Sequence, residues 1–135
     1  VGAFLQAQPH VDYASNRIDR TYPIGLDVEV FSRSLLERAE GQATEAYQRE
    51  HVTPYFYEEP GRFQILDVHA DENYGDLRWT VDTAAGLEFV RQIYDRLGVE
   101  GTFGWRQVLA LLEREPELAK INAHVRQKHY REVQK

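Results

Sequence analysis

Carboxylates that close or line alternating segments are the residues best suited by type and spacing to do chemistry. Asp82 ends the run Leu77-Arg78-Trp79-Thr80-Val81-Asp82, just before a helical pattern opened by Thr83. Ligands of open α/β folds gather at the carboxyl ends of strands. A carboxylate there can hold Mg²⁺, which takes one or two protein carboxylates plus phosphate or water oxygens. The position equally suits a helix cap, so on spacing alone Asp82 is a metal ligand or a cap. Asp27 and Glu29 lie two apart in Leu26-Asp27-Val28-Glu29-Val30-Phe31. They share one strand face, either to bind sugar hydroxyls or a cation or to form the solvated side of a sheet. Gly25 before them permits a close ligand approach.

The triplet Arg49-Glu50-His51 reads as a solvated helix face or, through His51, as a general base or hydroxyl-binding group. None of His10, His69, His124 and His129 makes a metal-ligand spacing with His51. The chain has no Cys, which excludes a disulfide framework, a thiolate zinc site and a catalytic thiol. Phosphate-cradling glycine loops and the Gly-x-Ser-x-Gly elbow are also missing.

The elements that must position these residues follow from periodicity. Residues 1–8 read as the end of a helix stopped by Pro9, and 11–15 as a short strand. Leu26 to Phe31 alternates as a strand, with Leu26, Val28 and Val30 on its apolar face. Ser34 with Glu37 as a capping box, or Ser32 as the cap, starts a helix with Leu35, Leu36 and Ala39 inward and Gly41 at its end. Thr44 suits the cap of a helix over 45–57, which Pro54 must start, kink or break. Phe63 to His69 and Leu77 to Asp82 read as strands, the latter with Leu77, Trp79 and Val81 opposite Arg78, Thr80 and Asp82. A helix from Thr83 to Gly98 places Leu87, Val90, Tyr94 and Leu97 inward. Trp105, Val108, Leu109 and Leu112 mark another helix. Pro116 suits the first position of a last one, with Leu118, Ile121 and Val125 inward and a tail after Arg126 that frays. Strands mixed with helices make the class α/β or α+β, and the close spacing of the later strands argues against an all-parallel sheet.

At 135 residues the chain suits a single domain. Hydrophobic residues make up 42% of it, enough for a packed core. A net charge of -6 argues against nucleic-acid binding, which rests on Lys and Arg neutralising phosphates. The longest apolar run, Val1 to Leu5, is far short of a membrane span. No membrane association is therefore expected, and the expected location is cytoplasmic.

Five runs in register then carry a resemblance over nearly the whole chain. They are Tyr13-Ala14-Ser15-Asn16, Tyr22 to Phe31, Arg49-Glu50-His51-Val52-Thr53-Pro54-Tyr55, Leu77 to Thr83, and Pro116-Glu117-Leu118 with Ile121-Asn122-Ala123-His124. Together they resemble the spore coat polysaccharide biosynthesis protein F family, homologues of the CMP-sugar synthetases. The resemblance implies the C-terminal portion of a nucleotide-diphospho-sugar-transferase-like three-layer α/β fold with a mixed sheet. It implies nucleotidyl transfer, in which a sugar oxygen attacks the α-phosphate of CTP and pyrophosphate leaves, with Mg²⁺ as cofactor. It makes Asp82 the magnesium ligand and assigns Asp27, Glu29, Glu50 and His51 to the sugar acceptor.

The chain departs from the family in two places. The family continues its magnesium motif as Val-Asp-Thr-Pro-Glu-Asp-Leu, whereas here Ala84 replaces the proline and Gly86 the second acidic residue. The family's basic phosphate loop (Ala-Arg-x-x-Ser-x-Arg-Leu-Pro-x-Lys) and its Gly-Asp-x-Pro-Leu stretch do not occur. The expectation is thus the C-terminal half of a cytidylyltransferase-like domain, inactive alone within an active parent. It would form a homo-oligomer or pair with an N-terminal half. A truncated module that binds sugar or a partner without catalysis, and a glycosyltransferase of the same fold, are the alternatives.

Overall fold

In the computed structural model, which describes residues 1–126, the chain forms two compact units. The first comprises Val1–Tyr22 and Asp27–Asn73, the second Pro23–Leu26 and the described residues from Tyr74 on. The tail beyond Arg126, expected to fray, and His129 lie outside the described residues.

The first unit is built on Tyr13. Strand β1 (Tyr13–Ser15) is buried at all three positions and lies between β2 (Glu29–Phe31) and β3 (Ile65–Asp67). It pairs antiparallel with β2, Tyr13 opposite Phe31 and Ser15 opposite Glu29. With β3 it pairs parallel, Tyr13 opposite Ile65 and Ser15 opposite Asp67. The class is therefore α/β with a mixed sheet, as the sequence implied.

Helices α1 (Gly2–Ala7), α2 (Arg33–Gln42), α3 (Ala46–His51) and α4 (Pro54–Tyr57) complete this unit. Its core is aromatic: Tyr13, Tyr55, Phe56 and Phe63 are buried with Leu35 and Ala39. Phe31 joins them, its ring centroid 4.9 Å from that of Phe56. Several side chains take positions the periodicity did not predict. The strand expected over Leu26 to Phe31 covers only its last three residues, and its faces are exchanged. Phe31 is held in the aromatic core, so Val28, on the opposite parity, is 49% exposed. Glu29 shares parity with Phe31 and is accommodated there because the Tyr13 hydroxyl donates to it.

Ser32, not Ser34, caps α2 by accepting from the Leu35 N–H at 3.1 Å. Gly41 lies inside that helix rather than ending it, and Leu36 is exposed. Glu45 takes the cap position of α3 expected for Thr44. The helix expected over 45–57 is broken. Pro54 lacks an N–H for an interior helical bond and opens α4 instead. Val52 makes the corner with φ of 60°.

The second unit packs α5 (Ala84–Leu97), α6 (Trp105–Arg114) and α7 (Glu117–Lys120) around Phe89, Ile93, Val108, Leu111, Leu112 and Leu118. A 3₁₀ turn, Gly98–Glu100, follows α5. The buried face of α5 is Gly86, Phe89 and Ile93, so Leu87 and Tyr94 of the expected stripe are exposed, Tyr94 at 60%. Thr83 caps α5 as expected, accepting from the Gly86 N–H at 3.0 Å. Pro116 is the N-cap of α7, one position earlier than expected.

The third strand does not form. Within 77–82 only Arg78 makes a bridge, parallel to Ile24. Ile24 N–H donates to the Leu77 carbonyl at 2.8 Å, and Trp79 N–H donates to the Ile24 carbonyl at 2.7 Å. Gly25 then turns the chain at φ 107°; a Cβ there would meet the Trp79 carbonyl oxygen at 2.9 Å. Leu77 and Trp79 pack on the second core, but Val81 is 55% exposed. The alternation of 77–82 thus reflects two inward residues and a buried arginine rather than a sheet strand.

Candidate functional site

Asp82 stands two residues before α5 and is held by a short network within the second unit. Arg78 Nη1 donates to its Oδ1 at 2.8 Å and Nη2 to its Oδ2 at 2.7 Å. Thr80 Oγ1 donates to Oδ1 at 2.9 Å and also accepts from Arg78 Nη1. The pair is asymmetric in exposure: the Arg78 side chain is 7% exposed and that of Asp82 60%. Hydrogen bonds from Arg78, then from Thr80, hold the Asp82 carboxyl well below the usual carboxylate range. Its own bonds to Asp82 outweigh burial and raise the pKa of Arg78. The arginine is anchored through its main chain, whose carbonyl accepts from the buried Asn122 Nδ2 at 2.5 Å. Asp82 therefore does not cap α5; Thr83 does, so the cap alternative for Asp82 is not what the structure shows.

This donor set fits a cation that takes a single carboxylate from the chain. Asp82 is held as a carboxylate by Arg78 and Thr80, and its side chain is 60% exposed. A bidentate guanidinium and one hydroxyl leave part of a carboxylate's acceptor capacity free. No group of three His, Cys, Asp or Glu able to hold a metal occurs among the described residues. Magnesium tolerates so few protein ligands because waters and phosphate oxygens fill its shell.

Asp27, Glu29, Glu50 and His51 belong to the first unit. Arg20 grips Asp27 with both terminal nitrogens, Nη1 to Oδ1 at 2.5 Å and Nη2 to Oδ2 at 3.1 Å. Glu29 accepts from the fully buried Tyr13 hydroxyl and lies 3.6 Å from Arg17 Nη1. Burial first, and then the bond to Glu29, push the Tyr13 phenol above its ordinary range; burial also raises Tyr57, whose ring centroid is 6.2 Å from that of Tyr13. Asn16, itself buried, accepts from Val28 N–H at 2.8 Å through its side chain. The loop 16–20 is thus tied to 27–29 by two arginine–carboxylate contacts and a hydrogen bond from Val28 N–H to Asn16.

His51 ends α3, half-buried, and Glu50 beside it is exposed. The third member of that triplet has a structural task. Arg49 Nη1 donates to the carbonyls of Glu40 at 3.0 Å and Ala43 at 3.4 Å, satisfying the C-terminal end of α2.

Residue types alone did not single out Arg78, Asn122, Tyr13, Arg17 and Arg20. A signal for Arg78 did exist: the alternation that put Arg78, Thr80 and Asp82 on one side anticipated the three side chains that bond to one another. For Tyr13 and Arg17 no local pattern pointed to Glu29.

The chain is 37% identical over 128 residues to the uncharacterized protein MJ1063 of Methanocaldococcus jannaschii, covering 91% of this chain and 50% of that protein. It is 30% identical over 122 residues to the spore coat polysaccharide biosynthesis protein SpsF of Bacillus subtilis, covering 85% and 50%. It superposes on a cytidylyltransferase from Leptospira borgpetersenii with a TM-score of 0.82 at 23% identity, over 95% of this chain and 52% of that one. The chain shares that fold. It spans about half the length of the curated relatives it matches. No family model matches it. Among the described residues no helix is long and apolar enough to cross a membrane.

Proposed function

We propose that this chain is the Asp82-bearing part of a cytidylyltransferase of polysaccharide or CMP-sugar biosynthesis, acting in the cytoplasm. The observation that carries the reading is Asp82: a carboxylate locked by Arg78 and Thr80 yet 60% exposed, two residues before α5 in a fold shared with a cytidylyltransferase. The SpsF relative supports the polysaccharide side of the reading.

In the proposed reaction a sugar oxygen attacks the α-phosphorus of CTP. The new P–O bond forms as the bond to the bridging oxygen breaks, and pyrophosphate leaves with that electron pair. Mg²⁺, when bound, neutralises triphosphate charge and orients the phosphates. Asp82 would hold it. Asp27, Glu29, Glu50 and His51 would recognise the acceptor. A carboxylate already fixed by an arginine keeps one orientation and spends little freedom in taking a sugar hydroxyl. Asp27 meets that condition through Arg20, and Glu29 is held instead by the Tyr13 hydroxyl.

CTP phosphates need donors beyond those assigned here, so the 135-residue chain by itself is proposed to be inactive. Association with an N-terminal half or a second copy is part of the same reading. The test is pyrophosphate release by the full-length gene product with CTP, Mg²⁺ and a panel of sugar acids. Release that requires both CTP and one of the sugars supports the reading. Release from a nucleotide-sugar donor with transfer to a second sugar would favour a glycosyltransferase instead.

A further inference from the structure

We propose that Arg78 is the resident counter-ion of Asp82 and holds down the affinity of that carboxylate for a divalent cation. The inference deepens the proposed role of Asp82 and rests on it. Arg78 is 93% buried by its 7% exposure, so its charge has Asp82 as its principal compensation. Its Nε has no hydrogen-bond partner among the described residues, which leaves the guanidinium dependent on the bonds at Nη1 and Nη2. The Asn122 side chain holds the Arg78 main chain at 2.5 Å, so the backbone does not carry the arginine away. Stranding a buried guanidinium is costly. A cation reaching Asp82 would therefore share the carboxylate with Arg78 rather than displace it.

Two effects of the arginine then oppose each other. Fixing one rotamer of an aspartate favours binding by about a fewfold at most. A guanidinium bonded to the same carboxylate repels a divalent cation by about tenfold or more, even at the dielectric of water. Repulsion wins. Asp82 alone is thereby a weak site, one that fills when further negative charge, such as a polyphosphate, arrives with the cation.

The test is Mn²⁺ titration of the 135-residue chain, read as paramagnetic broadening of its backbone amide resonances. Broadening is expected around Asp82, lost in Asp82→Asn, and present at about tenfold lower Mn²⁺ in Arg78→Gln. A folded Arg78→Gln variant that binds Mn²⁺ equally or more weakly would overturn the proposal. Should Arg78→Gln lose its dispersed spectrum, the wild type decides by titration with Mg²⁺. The Arg78 side-chain N–H resonances are expected to move with the same midpoint as the Asp82 amide, and static Arg78 resonances at a saturated Asp82 would overturn the proposal. Absence of any Asp82-dependent broadening in both wild type and Arg78→Gln would defeat the metal reading itself, and the counter-ion proposal with it.

Discussion

Gly86 lies so close to Thr80 that a Cβ on Gly86 would sit 2.2 Å from the Thr80 carbonyl oxygen. The first turn of α5 rests on the segment that carries Asp82, and only glycine permits that approach. The glycine that stands where the family this sequence resembles has an acidic residue is thus built into the local packing. By helix propensity Gly86→Ala should stabilise by about 1 kcal/mol. The backbone clash opposes this and costs more, as overpacking commonly does at about 1–3 kcal/mol. The expected result is a net loss of about 1–2 kcal/mol in urea unfolding. A midpoint at or above the wild type would show that α5 does not lie on Thr80.

Tyr13 and Glu29 make the comparable contact in the first unit. Tyr13 is fully buried and central to the aromatic core, and its hydroxyl is the donor that allows Glu29 on the core-facing parity of β2. Tyr13→Phe keeps the ring and removes that donor. The expected cost is about 1–2 kcal/mol, read by thermal or urea unfolding. No loss would mean that Glu29 is served equally well by Arg17 or by water.

Asp82 and Arg78 should behave as one unit in stability. Asp82→Asn removes the partner of a buried charge, so it should destabilise the chain, by about 1–2 kcal/mol given the exposure of the carboxylate. Arg78→Met combined with Asp82→Asn should recover most of that loss, because no buried charge is then left unpaired. Additive losses in this cycle, measured by urea unfolding, would mean that the two residues are not coupled.

Acid titration follows with a definite sign. The folded-state pKa of Asp82 is depressed, so its stabilising contribution is fully present above the unfolded value of about 3.9 and is lost as pH falls through the lower folded value. Carboxyl ¹³C shifts should show Asp82 still ionised at a pH where ordinary aspartates are protonated. In Arg78→Gln its midpoint should rise, since the arginine is the largest cause of the shift. An ordinary midpoint in the wild type would contradict the bidentate geometry.

The sequence was most readable where period and caps agreed. Thr83, the helical repeat and Gly98 framed α5 to within a residue. It was least readable where a charged side chain is drawn inward by a partner. Glu29 is half-buried where Tyr13 bonds it, and Arg78 is buried with its guanidinium on Asp82 and its carbonyl on Asn122. In both cases alternation was read as inside against outside, when the inside included a charge. The mixed sheet was legible, with β3 inside the strand expected over 63–69, whereas the further strand expected over 77–82 does not form. Within the candidate site, Asp82 was legible from its position before α5. The arginines that hold Asp27 and Glu29 were not, because each is identified only by where its partner folds, whereas alternation did put Arg78 on the side of Asp82.

Asp82 is proposed to serve nucleotidyl transfer by holding Mg²⁺. The most direct test is CTP- and Mg²⁺-dependent pyrophosphate release by the full-length gene product and its Asp82→Asn variant, each assayed well below its own unfolding midpoint. Loss of a ligand to the reacting metal should lower kcat by about a hundredfold or more, within the range seen when one transition-state charge stabiliser is removed. That fall is expected in a variant that is still folded. Turnover equal to the wild type would contradict it.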